Sequence, residues 1–370
     1  MGRIGEAGTY TDSFSPENVE REILFEENLD NPVIHLTGTN NGGDAYTLRI
    51  TEVRPDGFKF IVEEWEYLDG GHGATETIHW IAIEEGEHEL ADGRLIKAGY
   101  ADATNVASPV NFTNAFVGAP PVVLTTTASN NDPIAVDSDP NTITTSGFQI
   151  SLQEEEAEDG VHPTESVGWI AVEPGGDGSA GTSQTAAGLD EATDPFALGA
   201  DYTDPIIGAE TQTINGGDPA NIEIRSLNAA TDIVELRLRE EQSNDPETNH
   251  IDETLGLVVF ERGKIVCFAA ETRIATPQGE VRAGQLRIGD SVLTKCGSLG
   301  HIKWIGRRCF TEQDFALDPR LRPVIIHRGA FGPNAPQRDL KVSRQHRFLA
   351  QSRIAQRVAG SLEVLIPAIQ

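Results

Sequence analysis

The sequence predicts an all-β protein: three tandem antiparallel β-sandwich repeats, then a smaller all-β domain of different character. Three observations carry this. A pattern of strand, acidic turn and strand returns three times between residues 57 and 263. That part holds no long 3.6-residue apolar spacing, while its strands alternate with period two. The charge also divides at one point. Residues 1–263 hold 11 Lys+Arg against 50 Asp+Glu, net −39, and residues 264–370 hold 17 against 8, net +9. Two regions so differently charged are read as separate domains with separate roles.

The first repeat is placed at 1–95, with the hairpin GFKFIVEEWEYLDGGHGATETIHWIAIEEG at 57–86. The second, at 96–180, carries GFQISLQEEEAEDGVHPTESVGWIAVEPG at 147–175, and the third, at 181–263, carries VELRLREEQSNDPETNHIDETLGLVVFERG at 234–263. Glu76, Glu165 and Glu253 lie 89 and 88 residues apart, so the period is near 90. That is too long for a solenoid unit and suits whole β-domains. An upstream segment repeats as well, at 31–51, 120–140 and 204–226. Each copy sets Pro before a β-branched strand and then enters an Asn/Gly/Asp turn. Between copies, GGDGSAGTSQTAAGLDEATDP (175–195) has the composition of a loop or linker.

The last strand of each hairpin is apolar on both faces. Ile78, Trp80 and Ala82 share one face and Ile81 and Ile83 the other; Val167, Trp169 and Ala171 oppose Ile170 and Val172; Leu255, Leu257 and Val259 oppose Val258 and Phe260. Such a strand is central and buried on two sides, or has one face covered by a partner chain.

The turn between the hairpin strands repeats its polar residues: Glu64, Asp69, His72 and Glu76, then Glu154, Asp159, His162 and Glu165, then Glu240, Asp245, His250 and Glu253. A hairpin brings the first and last Glu of each set together across two strands. With a neutral His they are candidate ligands for a divalent cation, calcium or zinc. The other reading is a solvated acidic turn whose His bonds across the hairpin.

Composition narrows the function. The acidic part cannot neutralise phosphates over a long footprint, which excludes a general nucleic-acid binder there. No apolar run reaches 18 residues, so no membrane-spanning helix is expected. The start, MGRIGEAGTYTDSF, lacks the apolar core of a conventional signal peptide. The expected location is extracellular or at the cell surface, by a non-classical or type I export route. Cys267, Cys296 and Cys309 all lie in the basic part, and three cysteines imply no disulfide framework.

Two resemblances follow. Pro-Pro-Val-Val (120–123), Gly-Phe-Gln-Ile (147–150) and Val-Gly-Trp-Ile-Ala (167–171) make residues 109–175 similar to the H-type lectin sandwich, and the other copies less so. That resemblance implies six antiparallel strands, a carbohydrate or cell-surface ligand, and a homotrimer; no sugar-contacting residue can be carried over. The second covers 267–370. Its residues are CFAAETRIATPQGEVRAGQLRIGDSVLTKCG (267–297), LRPVIIHRGAFGPN (321–334), DLKVSRQHRFL (339–349) and VAGSLEVLIPA (358–368). They resemble the Hint domain of Hedgehog C-terminal domains, inteins and bacterial intein-like proteins, most of all its bacterial branch.

The Hint resemblance implies autoprocessing. Cys267 would attack the carbonyl of Val266, the residue before the scissile bond, and replace the peptide with a thioester. A planar amide resists this, so a proton must reach the leaving nitrogen. The resemblance gives that task to His346, whose imidazole exchanges protons near neutral pH, with Ser343 hydrogen-bonding near the amide. It makes Thr272 and Asp290 structural, and requires no cofactor. Such a reaction cuts the chain's own backbone rather than turning over an external substrate. Splicing members add a terminal His-Asn and a following nucleophile. This sequence closes on LIPAIQ370 without them, so an incomplete Hint module is expected, with cleavage and no splicing. The alternative is a lectin-like adhesin or a trimeric fibre or surface structural protein with an inactive Hint remnant.

Overall fold

A computed structural model describes residues 2–16, 18–68, 72–90, 92–158, 160–178, 180–244, 246, 248–267, 273–282, 285–287, 289–293, 299–302, 324–330, 336, 340–342, 347–351 and 363–367. Among them there is no α-helix, and the fold is all-β.

The acidic part uses the same seven strands three times. The first set is β1 (Gly2–Phe14), β2 (Arg21–Leu24), β3 (Pro32–Thr39), β4 (Tyr46–Arg54), β5 (Gly57–Glu64), β6 (His72–Glu84) and β7 (Gly86–Glu89). The second is β8 (Leu95–Ala103), β9 (Ser108–Asn111), β10 (Val122–Thr127), β11 (Asp137–Thr144), β12 (Gly147–Gln153), β13 (Glu165–Val172) and β14 (Gly175–Gly178). The third is β15 (Gly181–Leu189), β16 (Asp194–Ala197), β17 (Pro205–Thr211), β18 (Ala220–Asn228), β19 (Ile233–Glu240), β20 (Glu253–Glu261) and β21 (Gly263–Cys267).

In each repeat six strands form two three-stranded antiparallel layers. One layer is ordered β1-β6-β3, β8-β13-β10 or β15-β20-β17, and the other β2-β5-β4, β9-β12-β11 or β16-β19-β18. The apolar residues facing each other between the layers make one core per repeat. Ile78, Trp80 and Ala82 enter the first, Val167 and Ala171 the second, and Leu255, Leu257 and Val259 the third. In the first two repeats a Trp crosses a Gly on the neighbouring strand, Trp80 opposite Gly8 and Trp169 opposite Gly99. A Cβ on either glycine would come within 2.5 and 2.7 Å of the indole. The third repeat has Leu257 in place of Trp, and its partner is Gln184, so the smaller side chain leaves room for a larger neighbour.

The segment 175–195 corrects its sequence reading. It holds β14, β15 and the start of β16. Its Gly, Ser and Thr hide the alternation, yet Thr182 to Ala187 pair in register with Val259 to Thr254. Gly181 at φ +82° makes the turn into β15, and a Cβ there would meet Phe260 at 2.5 Å.

The repeats are parts of one compact unit, Gly5–His88 with Arg94–Lys264. Strands β3, β10 and β17, each the edge of its layer, meet around a common centre. Ile81, Ile170 and Val258 are all fully buried, so the second apolar face of β6, β13 and β20 is covered by the sister repeats. Each such side chain contributes about 1.5–3 kcal/mol. Gly208 marks the centre: a Cβ there would lie 2.8 Å from both Ile81 and Leu124 and 3.3 Å from His35.

The second unit includes 265–370. Its described strands form four antiparallel ribbons: β22 (Arg273–Thr276) with β23 (Gly279–Arg282), β24 (Ser291–Leu293) with β25 (Leu299–His301), β26 (Val324–Ile326) with β27 (Leu340–Val342), and β28 (Arg347–Gln351) with β29 (Glu363–Pro367).

Candidate functional site

The acidic turns place their residues alike in all three repeats. His72 Nδ1 lies 3.2 Å from Glu64 and Nε2 3.0 Å from Glu76; His162 lies 2.6 Å from Glu154 and 3.3 Å from Glu165; His250 lies 3.0 Å from Glu240 and 3.5 Å from Glu253. Each last Glu also closes the turn that follows β3, β10 or β17. Glu76 accepts from the Thr39 hydroxyl at 2.6 Å and from the Asn41 and Gly42 amides at 2.7 and 3.0 Å. Glu165 accepts from Ser129 and from the Asn131 and Asp132 amides, and Glu253 from Thr213 and from the Asn215 and Gly216 amides. The hydroxyls of Thr39, Ser129 and Thr213 in turn accept the amides of Thr77, Ser166 and Thr254.

These groups are buried, so the turn is not a solvated one. Burial lowers the His72 and His250 pKa values, but bonds and charge from their two glutamates outweigh it and leave both raised. Burial raises Glu76 and Glu253, but the His and the turn donors outweigh it and hold both below the usual carboxylate range. Where the imidazole is charged, it donates to both glutamates from its two nitrogens. Among the described residues no three His, Cys, Asp or Glu side chains are placed to hold a metal ion. Asp69, Asp159 and Asp245 lie outside the described residues. The described members form a hydrogen-bonded clamp across the hairpin.

The centre of the unit is a second polar system. The Ala209 amide donates to Thr37, the Leu36 amide to Thr126, and the Val123 amide to Gln212, at 3.0, 3.2 and 2.9 Å. Each repeat thus satisfies an edge-strand donor of another, which disposes of the open edges. His35 Nδ1 donates to the Thr125 carbonyl at 2.9 Å, and its Nε2 takes the Thr37 hydroxyl at 2.9 Å. The Ile207 amide donates to His79 Nδ1 at 3.1 Å. Burial pushes both imidazoles down to about 4, so they are neutral at pH 7.

Three inter-repeat contacts complete it. Arg49, fully buried, pairs with Glu63 at 2.7 Å and with Glu165 of the second repeat at 3.3 Å, and donates to the Asp132 and Ile134 carbonyls. Asp139 accepts from Thr211 of the third repeat at 3.1 Å. Glu223 accepts from Asn40 of the first repeat at 2.5 Å, beside a short parallel pairing of β18 with β3.

In the C-terminal unit, β21 ends at Cys267, so Val266 and Cys267 are the last two residues of a strand. Ser343, His346 and Thr272 lie outside the described residues, as do Cys296 and Cys309. Asp290 accepts the Arg287 amide at 2.9 Å, and its own amide donates back to the Arg287 carbonyl at 3.1 Å. That closes the turn leading into β24.

Sequence reasoning missed Arg49, His35, His79 and the carboxyls Asp137, Asp139 and Glu210. One signal was available: VIHLTGT, VVLTTT and PIIGAET each pass from apolar to polar at the same place, a buried strand turning from a greasy to a hydrogen-bonded neighbourhood. The pairing of Ser/Thr-x-Asn with the later Glu was a second.

Comparison with known proteins adds three findings. Residues 266–370 match the family model described as Hint domain. The chain is 26% identical over 255 residues, 65% of its length, to Halomucin of Haloquadratum walsbyi (strain DSM 16790 / HBSQ001). It spans only 3% of that protein's length. No solved structure matches.

Proposed function

With residues 266–370 a Hint domain, we propose that this domain cleaves the chain at Val266–Cys267 and so releases or transfers the acidic three-repeat unit. The observation that carries the reading is the junction. The family match starts at Val266, β20, the last sandwich strand of the third repeat, ends at Glu261, and Cys267 stands between cargo and processor.

The chemistry balances with this chain's own groups. The Cys267 sulfur attacks the Val266 carbonyl carbon, the C–N bond breaks, and the thiol proton ends on the freed α-amine. The new bond is a thioester, which a thiol forms readily because its sulfur is intrinsically nucleophilic. His346 would carry the proton and Ser343 would hold the amide. Water, a small thiol or amine, or a partner's nucleophile then takes the acyl group and regenerates the Cys267 thiol.

A second reading is favoured by the similarity to Halomucin and by the repeated sandwiches. The acidic unit would act as an extracellular surface component, with a carbohydrate or cell-surface ligand, and the Hint domain would be an inactive remnant. The two differ in one experiment: intact mass of the full chain after incubation with and without a small thiol. Cleavage predicts a fragment ending at Val266, with added mass when the thiol is the acceptor, and its loss in Cys267→Ala. A full chain that stays intact in thiol contradicts the cleavage reading.

A further inference from the structure

A cleft of about 50 Å³ opens where the three repeats meet. Its polar lining includes Thr47 of the first repeat, Thr125 and Asp137 of the second, and Glu210, Asn221 and Glu223 of the third. Glu223 has a cation outside the cleft, the Arg237 Nε at 2.7 Å. Asp137 and Glu210 are not so matched. Asp137 accepts the Ser138 amide at 2.9 Å and the Asn221 side-chain amide at 2.5 Å. Glu210 accepts the Thr211 amide at 2.9 Å and the Thr125 hydroxyl at 3.2 Å.

The lining also holds acceptors with nothing to accept. The Thr47 hydroxyl, on a residue 1% exposed, has no hydrogen-bond partner, nor does Asn221 Oδ1, and both residues face the cleft. A buried polar atom left unpaired is costly. The cleft is therefore short of positive charge and of donors at once. A bare metal ion answers only the first deficit, and no three carboxylate, His or Cys side chains converge on one point here. A neutral polyol answers only the second.

We propose that the cleft binds a primary ammonium group. Three N–H donors and one positive charge suit two carboxylates, an amide oxygen and a hydroxyl spread around a small volume. The group is either that of a free amine or the end of a lysine side chain. Burial also raises Asp137 to about 6, burial and the nearby Asp137 and Asp139 charges push Glu210 well up, and a bound cation would oppose both shifts.

Calorimetric titration of the full chain at pH 7 with methylammonium, tetramethylammonium and Nα-acetyl-lysine amide tests this. Methylammonium or the lysine derivative is expected to bind saturably; binding of both places the site within reach of free amines, and binding of the lysine derivative alone assigns it to a protein side chain. Tetramethylammonium, with the charge but no N–H, is expected to bind at least about tenfold more weakly. Glu210→Gln and Asp137→Asn are each expected to weaken binding about tenfold, the loss of one charge-assisted bond. The wild-type selectivity series needs no variant, so it stands even where a variant fails to fold. Equal binding of tetramethylammonium, affinity unchanged in both folded variants, or no binding of either primary amine would overturn the proposal.

Discussion

Positions 49 and 139 occupy the same place in two successive repeats, opposite Ile61 and Ser151 three residues before the clamp glutamates Glu64 and Glu154. Both side chains reach into the next repeat. At 49 an arginine closes the contact, and every carboxylate and carbonyl it meets is matched. At 139 an aspartate does, and its second oxygen has no partner. Burial and the nearby Asp137 charge push the Asp139 carboxyl well up. The backbone was duplicated with its clamp, but each interface found its own chemistry. One is a finished ion-pair network, the other an uncompensated carboxyl cluster.

The comparison breaks first at Arg49. Arg49→Met leaves Glu63 and Glu165 buried beside unmatched carbonyls, and about 3–5 kcal/mol of stability is expected to go. Chemical denaturation measures it, and a loss under about 1 kcal/mol would mean the network is not closed as described.

The carboxyl interface is expected to answer to pH instead. Asp137 has its folded pKa raised to about 6 from 3.8, so its contribution is full below about pH 4 and is lost as pH rises through 6. The loss is about 3 kcal/mol at most. His35 and His79 run the other way: lowered to about 4 from 6.5, they cost stability as pH falls from 6.5 toward 4. Asp137→Asn is expected to remove the Asp137 share of the falling slope and leave that of Asp139 and Glu210, read from stability against pH.

Smaller effects sharpen the picture. Gly208→Ala sets a methyl 2.8 Å from Ile81 and Leu124, at an expected cost of about 1–3 kcal/mol, seen as a lower melting temperature. Glu76→Gln is expected to cost about 1.5 kcal/mol. His72 has a raised pKa, so its pairing with Glu76 is fully present below pH 6.5 and lost as pH rises through the folded value. The cost of Glu76→Gln should therefore shrink from pH 5.5 to pH 9, and an unchanged cost would deny the imidazolium clamp.

Much of this was legible in the sequence. Period-two alternation and the returning Glu-His-Glu set gave the repeats, because both are local patterns that strand geometry imposes. The double apolar face of IHWIAI, VGWIAV and LGLVVF announced a covered strand, but could not say by what. Burial by a sister repeat and burial by a partner chain demand the same residues. The acidic turn was recognised and its solvation misjudged, since composition does not reveal that Thr39, Ser129 and Thr213 return to satisfy the glutamates. Asp137 and Glu210 were illegible for a similar reason. Residues 73 apart meet only through the arrangement of the repeats.

That arrangement is the central claim: the acidic unit is one body around Gly208, not three domains on a string. Hydrogen exchange of the Leu36, Val123 and Ala209 amides tests it most directly, because each donates across a repeat boundary. One cooperative unit predicts that all three exchange with the same free energy and the same dependence on denaturant. Exchange of any one through a separate opening of its own repeat, at markedly lower free energy, would contradict it.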